Sequence, residues 1–65
     1  MRYSYDAESD TLTLKLSKKK PDFGEQTDNV ITHYSKNGKP VEIEILDAKK
    51  TARKIMRMIA KTVHA

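Results

Sequence analysis

The chain has 65 residues, no cysteine and no tryptophan, and a formal net charge of +4. That length allows one thin-cored domain, burying about 60% of its unfolded-state surface. The missing cysteines exclude a disulfide framework and a Cys-based metal site. No apolar run approaches the roughly 20 residues of a membrane span and no signal-peptide pattern opens the chain, which predicts a soluble, cytoplasmic protein with no membrane role.

The charge is unevenly placed. Residues 1–47 hold seven basic residues against nine acidic ones, whereas residues 48–65 hold six basic residues and no acid. Such a division points either to an acidic or nucleic-acid partner for the C-terminal segment or to a solvated helix face.

Tyr3 and Tyr5 alternate with Arg2, Ser4 and Asp6, a period of two that predicts a first strand near 2–6. After the polar reversal Ala7–Asp10, the run Thr11-Leu12-Thr13-Leu14-Lys15-Leu16-Ser17 predicts a second strand near 11–17. A reversal centred on Glu8-Ser9 sets Tyr5 opposite Leu12 and Tyr3 opposite Leu14, so both apolar sets share a face. From Lys18 to Asp28 the alternation lapses. Lys18-Lys19-Lys20-Pro21 cannot supply a core, and Pro21 cannot donate to a ladder, so the segment reads as the longest loop. Phe23 within it is either folded against the sheet edge or exposed to a partner.

A third strand is expected near 29–35 and a fourth near 40–46, joined by Lys36-Asn37-Gly38-Lys39. Asn-Gly suits the two positive φ values of a type I′ turn. With Asn37-Gly38 at the tip, Tyr34 faces Val41, Thr32 faces Ile43 and Val30 faces Ile45. On the other side His33 faces Glu42 and Ile31 faces Glu44. The fourth strand, Val41-Glu42-Ile43-Glu44-Ile45, is the clearest alternation in the chain.

After Asp47 the period becomes 3.6. Ala52, Ile55, Met56, Ile59 and Val63 form a stripe, with Lys50, Arg53, Lys54, Arg57 and Lys61 around the rest, which predicts a helix near 48–63. Asp47 is the expected N-cap. The expected fold is α+β: a four-stranded antiparallel β-meander of two hairpins, followed by one C-terminal amphipathic helix packed on the sheet. In that pose Ile55 and Ile59 face Tyr5, Leu14 and Ile43.

Catalytic chemistry needs a nucleophile with its base, paired carboxylates in a cleft, or ligands at metal-binding spacing. His33 and His64 lie in different elements. His33 against Glu42 reads as a cross-strand contact. Asp6, Glu8 and Asp10 cluster in one turn but lack the glycine and distal glutamate of a calcium loop. Both glycines are isolated, so there is no phosphate loop. These absences predict a non-enzyme with no catalytic, metal or cofactor-binding residues.

Two segments resemble a known family. Tyr5-Asp6-Ala7-Glu8-Ser9-Asp10-Thr11-Leu12-Thr13-Leu14-Lys15-Leu16 resembles the opening Y-D-x-x-x-D-x-L-x-I-x-L of the bacterial and archaeal family called domain of unknown function 2283. Asn37-Gly38-Lys39-Pro40-Val41-Glu42-Ile43-Glu44-Ile45-Leu46-Asp47-Ala48 resembles its D-G-x-I-V-G-I-E-I-L-D-A centre. The chain departs from it with Lys36-Asn37-Gly38 in the turn, with Pro40-Val41-Glu42 before the strand, and in the strong positive charge of its helix. The resemblance implies no catalytic residues. Some members look like the antitoxin half of two-gene modules that include a small ribonuclease-like toxin.

Together these readings predict a protein-binding module, in its antitoxin form neutralising a cognate toxin, with Arg53, Arg57, Met58, Lys61, Glu42 and Glu44 as partner-binding residues. The alternative is nucleic-acid binding through Lys50, Arg53, Lys54, Arg57 and Lys61. A third reading is self-association as a structural homodimer, motivated by Ile31 on the outer face and an open strand edge.

Overall fold

The computed structural model describes the backbone of residues 1–64 and side chains through Thr62. The chain is α+β, with strands β1 (Arg2–Asp6), β2 (Thr11–Lys15), β3 (Phe23–Thr27), β4 (Val30–Tyr34) and β5 (Pro40–Ile45) ahead of helix α1 (Ala48–His64). The strands form one antiparallel sheet in the order β1-β2-β5-β4-β3.

The sheet therefore has five strands, not four, and it is not a meander. The additional strand is β3, inside the segment expected to be a loop. It pairs with β4 from Phe23↔Tyr34 to Thr27↔Val30. Its sequence, Phe-Gly-Glu-Gln-Thr, carries no apolar alternation because every residue of this edge strand is exposed, so main-chain bonds rather than burial hold it. The Phe23 ring stacks on Tyr34, with centroids 5.1 Å apart, which assigns Phe23 to the sheet edge. The other departure is the place of β5. A meander would set β2 beside β4, but the most apolar strand takes the centre instead. There it pairs with β2 through Leu12↔Ile45 and Leu14↔Ile43, and with β4 through Val30↔Ile45 and Thr32↔Ile43.

The registers expected within the hairpins are observed. Tyr3 lies opposite Leu14 and Tyr5 opposite Leu12, while His33 faces Glu42 and Ile31 faces Glu44. One pair differs: Tyr34 faces Pro40 rather than Val41, across a bulge at His33/Tyr34. The turn explains it. Gly38 alone has positive φ (78°), and Asn37 does not, so the tip is not type I′. The Gly38 N–H donates to the Ser35 carbonyl at 2.8 Å and the Ser35 N–H donates to the Lys39 carbonyl at 2.8 Å, a longer loop whose left-handed glycine absorbs the extra residue. Asp10, Asp28 and Asp47 also take left-handed φ values, between 51° and 54°, each in a connection between two elements.

The helix does not cover the sheet. From Ala52 to Thr62 every residue is exposed, and Ile55 and Ile59 each keep 50% of their surface open. The long dimension of the molecule is 44 Å. That is close to a five-residue strand of about 17 Å followed end to end by a 17-residue helix of about 26 Å. The expected lid is absent because the first turn is fastened to the sheet's end in a direction that carries the rest away. In consequence Val41, 2% exposed, is the one fully buried apolar side chain among the described residues.

Candidate functional site

Two polar side chains from turns at the end of the sheet hold the base of α1. The Asp10 carbonyl accepts the Ala48 N–H at 2.9 Å, and its carboxylate accepts the Lys49 N–H at 3.1 and 3.3 Å. The first helical turn contains no acid. Asp10 therefore supplies from 39 positions away the negative charge that the helix N-terminus favours. This corrects the expected cap: the Asp47 carbonyl starts the helix by accepting the Thr51 N–H at 3.0 Å, but the capping carboxylate is that of Asp10. On the other side Asn29 Nδ2 donates to the Leu46 carbonyl at 2.7 Å and to Thr51 Oγ1 at 2.6 Å. The Leu46 N–H returns a bond to the Asn29 carbonyl.

Tyr5 completes the Asp10 anchor by donating its hydroxyl to Asp10 Oδ1 at 2.5 Å. That hydrogen bond, with the Lys49 N–H and the Lys49 and Arg53 charges, holds the Asp10 carboxyl below its ordinary 3.8 against a smaller opposing desolvation. The same bond, followed by desolvation and the nearby carboxylates, raises the Tyr5 phenol above its ordinary 10.0. A lowered acid stabilises the fold above its unfolded pKa, and that share is lost as pH falls through the lower folded value. A raised phenol stabilises below pH 10, and that share is lost as pH rises through the higher folded value. Tyr5→Phe should therefore lower the denaturation midpoint between about pH 5 and 9 and converge with the parent chain at both extremes. Urea melts across pH measure this, and a difference that does not vary with pH would refute the link.

Rotation of about 100° per residue sets Met58, Ile55, Ile59, Ala52 and Met56 on one arc of roughly 160°. Met56 and Met58 are 63% and 61% exposed. Lys50, Arg53, Lys54, Arg57 and Lys61 occupy the opposite arc, all in solvent. The nominated helix residues are thus gathered on one projecting element. The side chain of Val63, expected on the stripe, and that of His64 lie outside the described residues.

Glu42 and Glu44, also nominated, lie on the outer face of β5 and meet His33 of β4. His33 Nε2 is 2.5 Å from Glu44 Oε1 and 4.0 Å from Glu42 Oε2, so its nearer partner is the diagonal glutamate rather than the one directly opposite. Gly24 of β3 lies beside the ring, where a Cβ would come within 3.2 Å of His33 Nδ1, which is why a residue without a side chain suits that position. The three ligand atoms lie within 4.8 Å of one another and can hold a divalent cation. With Nε2 already bound to Glu44, the arrangement is equally complete as a hydrogen-bonded cross-strand triad. Asp6 of the first reversal is also occupied locally: it accepts the Ser9 hydroxyl at 2.7 Å and the Glu8 N–H at 3.3 Å.

A further basic site went unnoticed in the sequence. Arg2, Lys15, Lys18, Lys19 and Lys20 line one open cleft of about 690 Å³, together with Val41 and Glu42. The Lys18–Lys20 run was its visible signal, but the approach of Arg2 and Lys15 requires the β1–β2 pairing.

A family model described as Protein of unknown function (DUF2283) matches residues 2–49. The chain belongs to the DUF2283 family. The matched portion contains all five strands and both anchors of α1, Asp10 and Asn29, so the DUF2283 portion comprises the sheet and the seat of the helix. The basic residues from Lys50 onward fall outside it. No curated protein and no solved structure matches this DUF2283 chain. Among its described residues, no helix is long and apolar enough to cross a membrane.

Proposed function

We propose that the chain is a non-enzymatic protein-binding module whose docking element is α1. One observation carries this reading: Ile55, Met56, Met58 and Ile59 lie 50–63% exposed on a helix that no other described element covers. An amphipathic helix presenting an apolar arc is a recurrent recognition device, and methionines adapt to a partner's surface. The basic arc carrying Arg53, Arg57 and Lys61 adds electrostatic steering toward acidic surfaces. The antitoxin role is the narrower form, in which a small ribonuclease-like toxin takes the helix. Its support is the family resemblance. Tagged chain co-expressed with the product of the neighbouring gene should retain that product, and Met58→Glu should release it. Failure to form a complex, with no relief of toxicity, would sink the antitoxin form.

Nucleic acid is the second reading, favoured by the cleft of Arg2, Lys15, Lys18, Lys19 and Lys20 in addition to the helix cations. The same preparation should then bind RNA or DNA with an affinity that falls steeply with salt. Absence of binding at low salt would eliminate it.

A further inference from the structure

We propose that the first occupant of α1 is a second copy of this chain: two protomers exchange helices, each laying its apolar arc on the apolar face of the other's sheet. This rests on the reading of α1 as a protein-docking element and names the partner.

The surface area points to a covering partner. A folded monomer of 7.5 kDa is expected to expose about 4,250 Å², but this chain exposes 5,565 Å². Its radius of gyration is 14.1 Å, against about 10.7 Å for a compact chain of 65 residues. The excess of about 1,300 Å² is within the range each partner of an obligate homodimer buries.

Two surfaces that no other element packs on contribute to that excess, and they suit each other. One face of the sheet gathers Tyr3, Tyr5, Leu12, Leu14 and Ile43 by register, and no helix packs on it. The other surface is the arc of α1. Within one chain they cannot meet, because Asp10 and Asn29 fix the first helical turn and aim the remainder away. A twofold exchange brings both pairs together at once and closes, leaving no unsatisfied copy.

The alternative pairing, helix against helix, fits less well. An apolar arc of roughly 160° is wider than a coiled-coil seam needs and suits a flat sheet. A helix of about 26 Å is long enough to cross five strands spaced about 4.8 Å apart. The exchange leaves Arg53, Lys54, Arg57 and Lys61 on the outside.

The test is the mass of the full chain by light scattering at about 100 µM, with isotope-filtered NMR on a mixture of labelled and unlabelled chains. The expected mass is twice 7.5 kDa, with intermolecular contacts from the Ile55 and Ile59 methyls to those of Leu12, Leu14 and Ile43. Ile59→Glu should halve the mass and keep the strand signal in circular dichroism, because Ile59 supports nothing within its own chain. Contacts running only from helix to helix overturn the proposal, as do Ile59 contacts to its own sheet. A monomer that still retains another protein through α1 overturns the exchange but preserves the docking reading. A monomer whose helix variants alter no binding overturns both.

Discussion

Val41→Ala is expected to destabilise the protein by about 2–3 kcal/mol and to lower its melting temperature by roughly 10–20 °C. The reason lies in how little else is buried. Val41 is the one described apolar side chain that water does not reach, and its carbonyl also accepts the N–H groups of Leu16 and Ser17 at 2.9 and 3.3 Å. Removing two methyl groups opens a gap where the central strand leaves the turn, in a domain whose total stability is on the order of 5 kcal/mol. Arg57→Ala, on the solvated arc, should stay within roughly 0.5 kcal/mol. Thermal melts of the two variants decide the point. If both melt with the parent chain, the core is not where the burial places it.

Asn29→Ala should be the next most damaging change, at about 2 kcal/mol. Its amide makes two bonds, each worth about 1 kcal/mol net, and its removal leaves the Leu46 carbonyl unpaired where the sheet hands over to the helix. Asn29→Asp keeps the size but replaces the donor with an acceptor, which cannot serve that carbonyl, so it should do no better than alanine. Hydrogen exchange should show the loss as faster exchange over Ala48–Thr51, with β1 and β2 little affected. An aspartate variant as stable as the parent would show that the two bonds do not matter.

The features legible in the sequence are those with a period. Strict alternation marks Thr11–Lys15 and Val41–Ile45, and their phases place Leu12, Leu14, Ile43 and Ile45 on one face, as observed. The change of period after Asp47 marks the helix within a residue of its observed ends. Where local pattern and tertiary context part, the reading fails. Phe23–Thr27 is an exposed edge strand held by backbone pairing and the Phe23–Tyr34 stack, so its Gly-Glu-Gln centre contains no burial signal. Amphipathicity reveals that α1 has an apolar arc but not what covers it, and the lid was the simplest cover available within one chain. Asp10 was grouped with the acids of its own turn, because nothing local links it to Lys49. Of the candidate site, the residue types on the helix were legible. Their projection away from the sheet, the diagonal His33–Glu44 pair and the gathering of Arg2 with the lysine run were not, since each depends on pairings between distant strands.

The central place of β5 also governs the order of assembly. β1–β2 and β3–β4 are local hairpins that share no ladder and meet only through residues 40–45. During synthesis the first 39 residues can form no more than two separate hairpins, each marginal in water by itself. When Pro40–Ile45 arrives, one strand completes ladders on both sides, and the close of that strand positions Leu46 for Asn29 and Ala48 for Asp10. Nearly all of the long-range structure therefore forms in a single late step, and until then the chain has open strand edges and an unburied leucine face.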